Sequence, residues 1–228
     1  MRKIFQQELS ELGDDLAAMA EKVAEAVRGA GEALREVDIE KAEKVIDADN
    51  RIDEYEDTIE AMCLSLLALQ QPVATDLRLV VSAMRLSATL ERMGDLARHV
   101  AYMVRSRYPE AVSSGPMLEL ISGMTIKASE VTNQFVELMD THDLDAAHAI
   151  HVEDDYLDDA LTRSFDLLTV QNVELTRQEV VDAVLLIRFL ERIGDHCVSG
   201  ADRIMYLVTG DLDRSVTAPV DGEEMYVD

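Results

Sequence analysis

The pattern Glu-Arg-x-Gly-Asp occurs twice in this chain, at residues 91–95 and at residues 191–195. Each copy lies in a long segment whose apolar residues recur with the spacing of an amphipathic helix. Within each copy the Glu and the Asp are four positions apart, so both carboxylates project from the same face of the helix. The repeat therefore predicts two equivalent helical units, each with an oxygen-rich site suited to a cation.

Helical periodicity extends over nearly the whole chain and divides it into six segments. Gln70-Gln71-Pro72 ends the second segment, because the residue before a proline is disfavoured in the α region. Asp38 and Asp143 are predicted N-caps, and residues 176–179 have the spacing of a capping box. The six predicted helices cover residues 4–35, 38–69, 73–107, 117–139, 143–170 and 176–209.

The second set of three helices repeats the order of the first set. Asp49 and Asp53 in the second helix correspond to Asp154 and Asp158 in the fifth, and the two Glu-Arg-x-Gly-Asp copies correspond to each other. Short connections favour antiparallel packing of neighbouring helices. We therefore predict an all-α fold of two tandem antiparallel three-helix bundles related by internal duplication.

The breaks between helices predict the domain bounds. Residues 108–116 contain two prolines, two serines and a glycine, which favours a linker. The first bundle is therefore predicted at residues 1–107 and the second at residues 117–209. Residues 210–228 are acidic and have no helical period, so we expect a flexible tail there.

Antiparallel packing would bring the acidic side chains of neighbouring helices together. Four carboxylates that share a partly buried site repel one another and resist ionisation without a counter-charge. A multivalent cation would offset that repulsion, so each unit is predicted to hold metal through oxygen ligands only. The predicted ligands are Asp49, Asp53, Glu91 and Asp95 in the first unit, and Asp154, Asp158, Glu191 and Asp195 in the second.

The type of ligand restricts the metal. All-oxygen sites suit magnesium, calcium, manganese or iron better than copper. Gly94 and Gly194 stand where a ferritin-like di-iron oxidase carries a His, which argues against oxygen activation. A glycine weakens the middle of a helix by about 1 kcal/mol relative to alanine, so these two are expected to allow close helix packing or room beside the site. Arginine pairing is the alternative to metal, through Arg92, Arg98, Arg188 and Arg192.

Composition restricts the partners and the location. The 228-residue chain has a formal net charge of −25, which disfavours nucleic acid and anionic membranes because both carry phosphate charge. No apolar run approaches the ~18–20 residues of a spanning helix, and the N-terminus becomes polar too early for a signal peptide. Cys63 and Cys197 are predicted to be small buried side chains. We expect a soluble cytoplasmic protein without membrane insertion.

Together, the motifs resemble those of the PhoU family, the phosphate-uptake regulators of bacteria. The resemblance rests on the two Glu-Arg-x-Gly-Asp copies, the upstream Asp-x-x-x-Asp pairs and the segment QPVATDLR at residues 71–78, and it covers about residues 1–209. It implies two three-helix bundles and one multinuclear metal cluster per repeat, held by the eight carboxylates named above. Iron is the metal first expected, with zinc, manganese, magnesium and calcium as alternatives.

The resemblance also implies a regulatory role. The family couples the high-affinity phosphate ABC transporter to a sensor histidine kinase and represses the starvation response when phosphate is plentiful. The expected partners are therefore the cytoplasmic subunit of that transporter and the kinase, and a homodimer is left open. His99 and Ser199 depart from the family, which often has an asparagine four residues after the Asp of the motif. This departure bears on metal affinity or identity.

Two other functions remain open alongside the regulatory one. The chain lacks a Ser-His-Asp elbow, a Cys-His pair, a phosphate-binding loop and a GxGxxG motif, so we do not expect an enzyme. The first alternative is nonetheless a metal-dependent phosphoester enzyme with paired metals. The second is a metal-free helical adaptor whose acidic faces dock on basic partners. Metal analysis of untagged protein would separate these functions.

Overall fold

The computed structural model describes residues 2–169 and 173–211. The described residues form six long helices, as the periodicity predicts. These helices are α1 (Arg2–Glu36), α2 (Ile39–Gln70), α3 (Ala74–Arg107), α4 (Gly115–Thr141), α5 (Leu144–Thr169) and α6 (Arg177–Thr209). The predicted tail at residues 210–228 lies almost wholly outside the described residues.

The helix ends confirm the predicted capping residues. The side chain of Asp38 accepts a hydrogen bond from the backbone N–H of Lys41, which satisfies a donor in the first turn of α2. Thr176 and Glu179 form both reciprocal bonds of a capping box at the start of α6. These caps mark where α2 and α6 begin.

The predicted start of α4 was two residues too late. The helix begins at Gly115 with Pro116 in its first turn, where the missing N–H of proline costs no hydrogen bond. Val112 and Ser113 in the preceding segment are buried, so this connection packs against the bundles. The division into domains at residues 1–107 and 117–209 stays a prediction.

Two three-helix bundles make up the described chain. Helices α1, α2 and α3 pack on one another, and α4, α5 and α6 do the same. Met19, Ile59 and Leu90 are fully buried in the first bundle, as are Phe135 and Leu186 in the second. Cys63 and Cys197 are also fully buried and unpaired, which confirms their predicted place in the core.

The bundles meet along two helix pairs, α1 with α4 and α3 with α6. Arg107 near the end of α3 forms an ion pair with the buried Asp182 near the start of α6. Arg35 in α1 donates a hydrogen bond of 2.6 Å to Thr125 in α4. Helices α2 and α5 therefore lie on the outer sides of the pair of bundles. Within the described part of the chain, no helix is long and apolar enough to span a membrane.

Candidate functional site

Two glycines let the acidic helices approach each other closely. A Cβ at Gly94 in α3 would lie 2.9 Å from the Cδ1 atom of Ile52 in α2. A Cβ at Gly194 in α6 would overlap the Oδ1 atom of Asp154 in α5 and lie 2.6 Å from Leu157 Cδ1. A larger residue at either position would force these neighbouring side chains to shift, so both glycines allow the close packing that was predicted for them.

In the first bundle an arginine lies among the predicted ligands. The guanidinium of Arg98 in α3 donates a hydrogen bond of 2.5 Å to Asp49 in α2 and another to Asp95 on its own helix. Asp49 is only 3% exposed, so it would be a costly unpaired charge without this partner. Arg92 lies 3.4 Å from Glu91 and 3.5 Å from Asp95. The arginine pairing that the sequence left open is therefore present at this site.

Two carboxyls of the first cluster, Glu91 and Asp49, hold their protons more tightly than isolated carboxyls do. Burial raises the pKa of Glu91 to about 7, and repulsion from Asp95 adds to the increase. Burial also raises the pKa of Asp49, although Arg98 opposes that increase and Asp53 reinforces it. The acidic side chains of α2 and α3 therefore lie close enough to repel one another, as predicted.

The second bundle presents its carboxylates without an equivalent bridging arginine. Asp154 and Glu191 are buried, whereas Asp158 and Asp195 are exposed. Arg188 donates a hydrogen bond of 2.6 Å to one oxygen of Glu191. Among the described residues, the buried oxygens Asp154 Oδ1 and Glu191 Oε2 have no hydrogen-bond partner. Such orphaned buried oxygens are rare, because each forfeits its hydration without compensation.

The four carboxylates of the second bundle also interact electrostatically. Burial raises the pKa of Asp154 to about 7, with added repulsion from Asp158, Asp195 and Glu191. Burial and the charge of Asp195 raise the pKa of Glu191. The structure thus brings together the four side chains that the sequence assigned to this site.

The donor set fits a hard cation, but the side chains do not converge on one point. Within residues 2–169 and 173–211, no three His, Cys, Asp or Glu side chains are arranged to hold a metal ion. The exposed Asp158 and Asp195 can change rotamer, and the unpartnered oxygens of Asp154 and Glu191 are suitable ligands. The second site therefore fits a cation better than the first, where Arg98 already supplies positive charge.

The difference between the two sites was not foreseen. With the two Glu-Arg-x-Gly-Asp copies aligned, Arg98 corresponds to Val198. A position-by-position comparison of the repeats would have found this exchange of a cation for an apolar side chain. Outside the acidic clusters, Nε2 of His151 in α5 lies 3.0 Å from Oδ1 of Asp202 in α6.

One protein family matches both repeats of the chain. The PhoU domain model matches residues 16–104 and residues 121–204. The phosphate-specific transport system accessory protein PhoU homolog 2 of Mycobacterium tuberculosis is 36% identical over 210 residues, which cover 92% of this chain and 99% of that protein. These matches span the described helices of both bundles.

Solved structures share the same fold. The crystal structure of PhoU from Pseudomonas aeruginosa has a TM-score of 0.81 and 27% identity, and the match covers 91% of this chain and all of that one. The phosphate transport system regulatory protein PhoU from Streptococcus pneumoniae has a TM-score of 0.80 and 28% identity, with coverages of 91% and 98%. Because the family model and the relatives match along both repeats, this chain belongs to the PhoU family.

Proposed function

We propose that this protein regulates phosphate uptake by coupling a phosphate ABC transporter to a sensor histidine kinase. The observation that carries the proposal is the match of both repeats to a family whose relatives are named for the phosphate-specific transport system. In this role the protein represses the phosphate-starvation response when phosphate is plentiful. It acts on the cytoplasmic side of the membrane, where the transporter subunit and the kinase domain are accessible.

The proposed mode of action is contact with partners. The net charge of −25 would attract basic partner surfaces and accelerate association at low salt. Most of that attraction is screened beyond about 8 Å at physiological ionic strength. Binding of the purified protein to the transporter subunit or to the kinase should therefore weaken as salt is added. Binding that does not change with salt would remove electrostatic steering from the proposal.

We also propose that the carboxylate clusters bind metal, with iron the first candidate. In the second bundle Asp154, Asp158, Glu191 and Asp195 would hold the ion. A multivalent cation there would offset the repulsion that remains among the four carboxylates after Arg188 has paired with Glu191. The support for this is the pair of unpartnered buried oxygens and the raised pKa of Asp154.

The first cluster would bind metal more weakly than the second. Asp49, Asp53, Glu91 and Asp95 can act as ligands only if Arg98 leaves its position between Asp49 and Asp95. Loss of this ion pair would oppose metal binding at the first site. The same pairing favours the alternative of a metal-free adaptor for this half of the protein.

Binding assays with a matched pair of variants test the proposal. Purified protein is passed over the immobilised transporter subunit and, separately, over the cytoplasmic part of the kinase. The Asp154→Asn/Glu191→Gln variant removes the charges of two ligands of the second site, whereas Asp14→Asn/Asp15→Asn removes two charges from α1, which contributes no residue to either cluster. Retention of the wild type and the α1 variant supports the proposal. No binding to either partner would contradict it.

A further inference from the structure

The seam between α3 and α6 is open at one end. The two helices are antiparallel, because Arg107 near the end of α3 contacts Asp182 near the start of α6. Toward the start of α3, a cavity of about 360 Å³ opens between the helices. The described residues that line it are Arg85, Ala88 and Thr89 from α3 and Ser199 and Arg203 from α6.

The duplication shows how unusual this lining is. The positions that correspond to the five lining residues in the opposite repeat are Leu185, Arg188, Phe189, His99 and Met103. At that end of the seam the rings of His99 and Phe189 pack together, with their centroids 5.3 Å apart. One end of the seam therefore has a pair of packed rings and a single arginine, whereas the other has two arginines and two hydroxyls.

The lining groups are donors suited to an oxyanion. A guanidinium carries N–H donors in a planar fork that matches the oxygens of a phosphoryl group. Arg203 lies against the ring of Tyr206, with its guanidinium carbon 5.4 Å from the ring centroid. Ser199 is exposed and contributes a hydroxyl, whereas the hydroxyl of Thr89 donates to the carbonyl of Arg85. None of the five described lining residues is acidic.

The arginines of the cavity contrast with the charge of the whole chain. In a chain with a formal net charge of −25, arginines on two facing helices, with no acidic residue among the described lining residues, would attract an anion from solution.

We propose that the cavity between α3 and α6 binds a phosphoryl group, either of inorganic phosphate or of a small phosphate ester. Arg85 and Arg203 contact it from the two helices, and Ser199 donates a further hydrogen bond. The cavity volume falls within the usual range for small-molecule sites. This inference goes beyond the proposed function, because binding is a property of the purified chain and requires neither the transporter, nor the kinase, nor metal.

Titration calorimetry of the full chain with inorganic phosphate, and separately with glycerol 3-phosphate, tests the inference. Arg85→Gln and Arg203→Gln should each weaken binding at least about tenfold, since a charge-assisted hydrogen bond is lost in each case. Arg105→Gln is the matched control, because Arg105 is an exposed arginine of α3 that lies over Tyr102 and outside the cavity.

The comparison of the two probes identifies the source of the phosphoryl group. Tighter binding of inorganic phosphate indicates the free ion, and tighter binding of the ester indicates a phosphorylated metabolite. Phosphate should also protect Arg85 and Arg203 of the wild type from phenylglyoxal, a readout that requires no variant. Absence of binding by either probe at millimolar concentration would overturn the proposal. So would equal affinity in the wild type and both cavity variants, or modification that phosphate does not slow.

Discussion

The guanidinium of Arg98 donates a hydrogen bond of 2.5 Å to the buried carboxylate of Asp49, and this bond joins α3 to α2 within the first acidic cluster. The second repeat has the equivalent aspartate, Asp154, but Val198 replaces the arginine. One repeat thus contains its own counter-charge, and the other leaves a buried carboxylate oxygen without a partner.

Exchanging these two side chains should exchange the metal preference of the clusters. Val198→Arg supplies a guanidinium near Asp154 and Asp195, so it should abolish the tighter binding at the second site. Arg98→Val removes the competing cation, so the first site should gain affinity for manganese or iron. Without metal, Arg98→Val should lower the free energy of unfolding by about 3 kcal/mol, because the buried Asp49 loses its partner.

Elemental analysis and calorimetric titration of untagged protein check this exchange. Under limiting metal, the wild type should bind first at the second cluster, and Glu91→Ala/Asp95→Ala should leave that binding intact. Metal at about 100 times its dissociation constant should add about 2.7 kcal/mol of stability. Unchanged affinity at both clusters after both substitutions would refute the competition between arginine and metal.

The pH dependence of stability should report on Asp154. Its pKa is 3.8 in a model compound and about 7 in the folded protein, so the folded protein binds this proton more tightly than the unfolded chain does. The contribution of Asp154 to the free energy of unfolding is therefore fully present below the unfolded value and is lost as the pH rises to about 7. Above that pH the carboxylate is charged in both states, and the contribution stays at its minimum.

Asp154→Asn isolates this effect from the other carboxyls. In chelator-treated protein, the melting temperature of the wild type should fall more between about pH 5 and about pH 8 than that of the variant. The variant should be the more stable protein at the higher pH, because a neutral amide replaces a buried charge without a bridging cation. An equal fall in melting temperature for the wild type and the variant across this pH range would show that the pKa of Asp154 is not raised.

Gly194→Ala tests the close approach of α5 and α6. The new methyl group would overlap Asp154 and crowd Leu157, so we expect a loss of about 1–3 kcal/mol in the free energy of unfolding. Gly13→Ala in α1 is the control, since a Cβ there has nothing within 4 Å. That substitution should stabilise the protein by up to about 1 kcal/mol through helix propensity. Urea denaturation measures both changes, and equal effects at the two glycines would contradict the packing argument.

Loss of Arg107 and loss of Asp182, which form the ion pair between the bundles, should lower the free energy of unfolding by different amounts. Arg107→Ala leaves the carboxylate of Asp182, whose side chain is 4% exposed, with Gln178 as its one side-chain donor among the described residues, so we expect a cost of about 3 kcal/mol. Asp182→Asn should cost less, because the side chain of Arg107 is 32% exposed and water can solvate it. Urea denaturation of both variants at neutral pH gives the order, and the reverse order would contradict this account.

Most of the fold could be predicted from the sequence because its signals are local. Apolar periodicity, the Asp38 cap and the Thr176 capping box depend on residues a few positions apart, and all are as predicted. The start of α4 was missed because Gly115 and Pro116 favour a linker as readily as a first helical turn. The duplication also made it possible to predict which acidic helices pack together, since the same arrangement must fit both repeats.

Which side chains meet at each site depends on how far each side chain extends and on how the two bundles pack together. Whether Arg98 extends along its own helix or across to Asp49 depends on the distance between α2 and α3, which Gly94 and Ile52 set. The cavity beside Arg85 and Arg203 needs α3 and α6 to be antiparallel neighbours from different repeats. Helical periodicity alone contains no such long-range register, so neither feature was predicted.

The central claim, that this protein represses the response to phosphate starvation, is tested most directly by a reporter of starvation genes in a deletion strain grown with abundant phosphate. We predict high reporter activity in the deletion strain and repression restored by the wild-type gene on a plasmid. The experiment requires a strain without a second copy of the gene. Reporter activity as low in that deletion strain as in its parent would contradict the account.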